Sequence, residues 1–141
     1  MAAKPLGIRL NNPMNVERTG QKWLGLAKVQ GHPRFFTFID PWHGIRCGAR
    51  ILTNYQKLYG LDTVRSLITR WAPPVENATS FYITHVGKGV GVGIDTRLDL
   101  SDLKTLYRLC QVMVLHENGE QPFAPELIRS ACLSALGRKS A

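Results

Sequence analysis

Acidic side chains are scarce in this chain. Ten Asp and Glu stand against 18 Lys and Arg in 141 residues. No window approaches the ~20 consecutive apolar residues that a membrane helix needs, so membrane insertion is not expected. The opening MAAKPLGIRLNNP lacks the apolar centre of a signal peptide, which implies synthesis in a reducing cytosol. Cysteine is sparse too: Cys47, Cys110 and Cys132 form an odd set with no CxxC, so no disulfide framework is expected. Cys110 and Cys132 lie in apolar runs and read as core. His32, His43, His85 and His116 show no paired spacing and no HExxH, which argues against a metal site. No GxSxG is present either, and no cofactor is implied. The glycines of VGKGVGVGID (86–95) follow no strand, so they read as a flexible turn rather than a phosphate cradle.

What is present suits one globular domain over 1–141, with an irregular arm at 1–12 and a frayed tail at 138–141. The hydrophobic fraction of 44% is enough for a core. The net charge of +8 is uneven. Residues 1–70 carry eleven Lys/Arg against Glu17, Asp40 and Asp62, while residues 71–141 balance seven against seven. That asymmetry suits a polyanionic partner such as nucleic acid, an anionic cell wall or an acidic protein face. It also suits a plain solvated surface.

Along the chain, NVERTGQKWLGL contains a Thr-Gly pair that could close a hairpin. HPRFFTFID supplies an aromatic β-rich run. Asp40-Pro41 reads as N-cap and first helical residue, and Gly60 ends that helix after Tyr59. Gly44 and Gly48 within it suggest close packing against another segment. Asp62 is expected to cap a second helix that Ala72-Pro73-Pro74 stops. A third starts near Asn77. Ser101 is expected to cap a fourth, ended by Asn118-Gly119, and Pro125 opens the last. The expected class is α+β with helix dominant: about five helices and a small N-terminal β-hairpin.

Because carboxylates are few, each can be weighed. Asp40 looks like a cap, and Asp95, Asp99 and Asp102 flank a helix start. Glu117 and Glu120 fall in HENGEQPF, read as a helix-ending loop. Glu76 stands beside two prolines and near Trp71, Phe81 and Tyr82. Aromatic surroundings raise a carboxyl pKa, as a general acid requires. A first-turn glutamate favoured by the helix dipole is the simpler reading. Trp23, Trp42, Trp71, Tyr55, Tyr59 and Tyr82 could stack on sugars, or could serve as core.

Three stretches, GIRLNNPMNVERTGQKWLGL (7–26), the segment from RFFTFIDPWHG to WAPPVENATSFYITHV (34–86) and GVGIDTRLDL (91–100), resemble a group of small phage and prophage proteins. These share a GIRNNNPGNI-like opening, W.G, an aromatic strand, an Asp/Ser-Pro helix and WAPP.EN.T..YI. Members are often labelled virion structural proteins. The chain departs at Met14, where the group has glycine; a Met fits only if φ there is not positive. The same order resembles the later part of the flagellar-type glucosaminidases of the lysozyme-like superfamily. That resemblance implies a lysozyme-like fold and a cleft for peptidoglycan glycan strands. In those enzymes the acid glutamate lies upstream of the hairpin. Here eleven residues precede Asn12 and none is acidic.

The expected function is therefore a phage muralytic enzyme, an endolysin or virion-associated glycosidase or transglycosylase. Glu76, Glu17 and Asp40 are its candidate catalytic residues, and Trp23, Trp71, Asn77, Tyr82 and Asn12 its candidate substrate contacts. Glycan hydrolysis usually needs two carboxylates roughly 5–9.5 Å apart, whereas transglycosylases, by the same resemblance, manage with one. The alternatives are a non-catalytic virion or wall-binding protein with a degenerate cleft, with other virion proteins among its partners, and a nucleic-acid-binding or host-inhibiting phage protein. The expected location is the host cytoplasm, then the virion or the periplasm and wall.

Overall fold

The computed structural model describes residues 3–72 and 76–138; the side chains of residues 76 and 77 lie outside that description. Six helices follow in order: α1 (Leu6–Arg9), α2 (Pro41–Tyr59), α3 (Val64–Trp71), α4 (Glu76–Val90), α5 (Leu103–Asn118) and α6 (Pro125–Ala135). The closest neighbours are α2 with α6, α4 with α5, α5 with α6, and α3 with α4. Leu52, Leu67, Ile68, Leu106, Leu109 and Met113 are fully buried at the centre. No helix among the described residues is long and apolar enough to cross a membrane.

Local chemistry explains most helix ends. Asp40 accepts a hydrogen bond from the His43 amide at 2.9 Å, Pro41 opens α2, and Gly60 takes φ +67° to end it. Two expected caps are corrected by one residue each. Thr63, not Asp62, caps α3 through a reciprocal pair with Ser66, while Asp62 meets Arg97 at 2.9 Å. Asp102, not Ser101, caps α5 through the Thr105 amide. The arm expected to be irregular contains the single turn α1. Helix α4 runs on to Val90, so Gly87 and Gly89 are helical rather than part of a turn. A Cβ on Gly89 would strike Val112 of α5 at 2.5 Å, so this glycine sets how closely α4 and α5 approach.

The expected α+β class with an N-terminal hairpin is overturned. Among the described residues there is no strand, only isolated antiparallel bridges between Glu17 and Phe35 and between Leu26 and Phe38. The aromatic run is extended and meets other backbone at scattered points, with Phe36 N donating to Val16 O at 3.2 Å and Phe38 N to Leu10 O at 3.0 Å, while side-chain amides take several of its remaining backbone groups. Asn12 Nδ2 donates to Phe36 O at 2.9 Å, and Asn11 Nδ2 donates to Phe38 O at 3.2 Å. Gln30 brackets Thr37: its Oε1 accepts from Thr37 N at 2.8 Å and its Nε2 donates to Thr37 O at 2.8 Å. Groups held this way cannot build a continuous ladder. Phe36 and Phe38 still face the core. The β-rich pattern reported burial correctly and hydrogen bonding incorrectly.

Met14 is completely buried, and a Cβ on Gly48 of α2 would run into its side chain. The left-handed residues of this segment are Asn11 (φ 53°) and Asn15 (φ 52°), so Met14 escapes the strain that its departure from glycine raised.

Candidate functional site

A groove of about 770 Å³ runs between the 15–23 segment, the ends of α2 and α3, the start of α4 and the end of α5. Trp23, Phe35, Tyr55, Tyr59, Trp71 and Tyr82 line it, together with Arg34, Arg70, Glu17, His116 and Glu117. Such a site, largely aromatic with few converging polar groups, suits a small ligand or a stretch of polymer.

Glu117 is the chemical centre. It is the penultimate residue of α5, not part of a loop as its sequence context suggested. Asn15 Nδ2 donates to its Oε1 at 2.9 Å. The Tyr82 hydroxyl and the Trp71 indole face the same carboxyl and also favour its ionised form. Only the Asn15 contact has good hydrogen-bond geometry; the buried Tyr82 hydroxyl has no well-formed partner among the described residues. Burial outweighs these donors and pushes the Glu117 carboxyl above the ordinary glutamate range. The position adds to this, because the C-terminal end of a helix disfavours negative charge.

Tyr82 is held from behind. Its ring stacks on His116 at 3.8 Å between centroids, and His116 Nδ1 lies 2.8 Å from His85 Nδ1. Burial, then the nearby His85, keeps His116 below the usual histidine range. Tyr82 is itself pushed well up by burial and by Glu117, so its hydroxyl keeps its proton.

Glu17 lines the same groove and is held by Arg34, whose Nη2 donates to Oε1 at 2.7 Å. Glu17 is half-exposed. Arg34 also exerts a charge effect on Glu117, so one guanidinium serves both carboxylates. Among the described residues, Glu17 and Glu117 are the carboxylates lining this groove.

The remaining candidates separate. Trp23, Trp71 and Tyr82 line the groove. Asp40 lies away from it, committed to the start of α2 and to His43 Nδ1 at 2.8 Å. The His43 bonds hold Asp40 below the usual aspartate range against a desolvation effect that raises it. Asn12 is 0% exposed and bonds only backbone: its Oδ1 accepts from Val16 N, and its Nδ2 donates to Val16 O and Phe36 O. It shapes the loop that presents Asn15 rather than meeting a ligand. Glu76 begins α4, but its side chain and that of Asn77 lie outside the described residues.

The sequence reading passed over Glu117, yet one local signal marked it. An acid one step before an Asn-Gly helix stop sits at the electrostatically wrong end of a helix. Among the described residues no three His, Cys, Asp or Glu side chains converge as metal ligands would.

No protein-family model matches the chain. It is 36% identical over 126 residues to Protein P5 of Pseudoalteromonas phage PM2, an alignment spanning 87% of this chain and 77% of that relative. The chain therefore belongs to the family of phage proteins that includes Protein P5 of phage PM2.

Proposed function

We propose that this phage-family protein cleaves the glycan strands of peptidoglycan, with Glu117 as the general acid. The observation that carries this reading is a buried carboxyl, raised in pKa, set in an aromatic groove. A carboxyl that holds its proton more tightly than an ordinary glutamate can give it to a glycosidic oxygen as the C–O bond breaks. The carboxylate left behind is then stabilised by the Asn15 amide, with the Tyr82 hydroxyl and Trp71 indole aimed at the same charge. In the hydrolytic route water then adds to the anomeric carbon, and the proton it releases restores the acid. Trp23 and Trp71 offer ring faces to the sugars.

Glu17 is the second carboxylate of the proposal. Bonded to Arg34, it would activate water or stabilise the positive charge developing on the sugar. The motif likeness to the lysozyme-like superfamily belongs to the same proposal. The acid then comes from a helix after the asparagine-rich loop. Action at the wall, from the virion or within the periplasm, follows from the substrate.

The test is turbidity loss of outer-membrane-permeabilised Gram-negative cells. Wild type should clear them, and Glu117→Gln should be slower by about 10²–10⁴-fold while keeping its circular dichroism spectrum. A comparable loss in Glu17→Gln makes the mechanism a two-carboxylate hydrolysis. Near-normal clearing by Glu17→Gln, with anhydro-sugar products, makes it a one-acid transglycosylation. A folded wild type that clears nothing but pellets with purified wall material would overturn the enzyme reading in favour of a binding protein.

A further inference from the structure

Among the described residues, one groove cation has no acidic partner. Arg34 is matched with Glu17, and outside the groove Arg65 is matched with Asp95 and Arg97 with Asp62. Arg70, on α3, forms no ion pair among the described residues. Its guanidinium lies over the Tyr59 ring at 3.9 Å and near the Tyr55 ring at 5.1 Å. The Tyr55 hydroxyl also interacts with it. Arg70 is exposed on the groove wall. The two rings and the Tyr55 hydroxyl restrain the guanidinium on the groove wall. This leaves N–H edges to bind a planar anion in a two-point fork.

The charges nearby favour such an anion. Glu17 is neutralised by Arg34, and Glu117 is held toward its neutral form. A substrate carboxylate entering this groove therefore meets an unmatched positive group.

We propose that Arg70, stacked on Tyr59 and Tyr55, is a carboxylate-binding subsite that selects glycans carrying acidic substituents over uncharged ones. This rests on the glycan-cleaving reading and narrows its substrate to amino-sugar polymers bearing carboxylates. Those carboxylates have two chemical sources, the lactyl ether on the sugar and the attached peptide. Both present the same group to Arg70.

The experiment measures equilibrium binding in a Glu117→Gln background, so that ligand is not consumed, with cleavage by the otherwise native chain read separately. Three ligands are compared: peptide-bearing soluble glycan strands, strands stripped of peptide by an amidase so that the lactyl carboxylate is free, and uncharged chitin oligosaccharides. Adding Arg70→Gln should weaken binding of acidic strands by about tenfold, one charge-assisted contact, and leave chitin binding unchanged. Arg70→Lys, which keeps charge but not the fork, should recover only part of the loss. Loss confined to the stripped strands places the anion on the lactyl group, which is free only there; loss confined to the peptide-bearing strands places it on the peptide; equal losses mean that Arg70 takes either carboxylate.

An equal loss on chitin, or no loss on either acidic ligand, overturns the subsite. Unaltered thermal melting of Arg70→Gln separates this result from misfolding. Cleavage that is indifferent to Arg70 sinks the subsite and leaves the enzyme reading standing. Acidic-strand binding that needs Arg70, without cleavage by the native chain, does the reverse. Failure to bind any of the three ligands overturns both.

Discussion

Glu117 owes its character to opposed neighbours. Burial raises its pKa while Asn15, Tyr82 and Trp71 pull it down, and burial wins. Removing a donor should therefore move it predictably. Asn15 has φ 52°, a conformation glycine tolerates, so Asn15→Gly deletes the amide without backbone strain. The basic limb of the pH–activity profile should then shift to higher pH, because a bond favouring the ionised form is gone. The same group links stability to pH. A carboxyl whose folded pKa exceeds its unfolded value binds more protons when folded, so its contribution falls as pH rises from the ordinary glutamate range through the folded value. Melting temperatures of Glu117→Gln and wild type should thus diverge in favour of the variant as pH increases from 4 to 7. A constant difference would place the ionisation elsewhere. Asn12 acts differently, since its amide satisfies buried backbone groups at Val16 and Phe36. Asn12→Ala should cost about 2–4 kcal/mol in chemical denaturation, because backbone partners are left unpaired.

Helix α2 shows how caps and close contacts divide the work of holding an element. Asp40→Ala should destabilise by about 1 kcal/mol through the lost cap, lowering the melting temperature by roughly 4 °C. Activity per folded molecule should be retained, since Asp40 is committed to α2 away from the groove; its loss would return Asp40 to the list of acids. Gly48→Ala acts through packing. The added methyl meets the buried Met14 side chain, and overpacking of this kind costs about 1–3 kcal/mol. Combining it with Met14→Ala should restore part of that loss, a coupling a double-mutant cycle would read. The 34–39 segment illustrates the opposite case. Its residues favour a strand, but its backbone groups are shared among Leu10, Val16, Arg18, Gly25 and Ala27 and the amides of Asn11, Asn12 and Gln30, so no single partner runs alongside it.

Across the molecule, the groove is assembled from both charge regimes of the chain. Glu17, Arg34 and Arg70 come from the basic first half and Glu117 from the balanced second half. The three thiols lie in the core: Cys47, Cys110 and Cys132 are free and buried. Burial raises the Cys47 thiol strongly, and Cys110, adjacent to Cys132, is raised well above the thiol range. A thiol reagent at neutral pH should therefore label none of them in the native protein and all three in denaturant. Helix starts, stops and tight glycine contacts could be read from the chain alone at Asp40-Pro41, Gly60, Gly48 and Gly119. Each depends on groups within about four residues or on the volume of one side chain. The absence of a sheet among the described residues and the burial of the Glu117 carboxyl could not be read that way. Asn12 finds Phe36 across 24 positions, and Asn15 finds Glu117 across 102. Hydrogen bonding and desolvation at those atoms exist only once the helices have packed, because both depend on which distant groups exclude water.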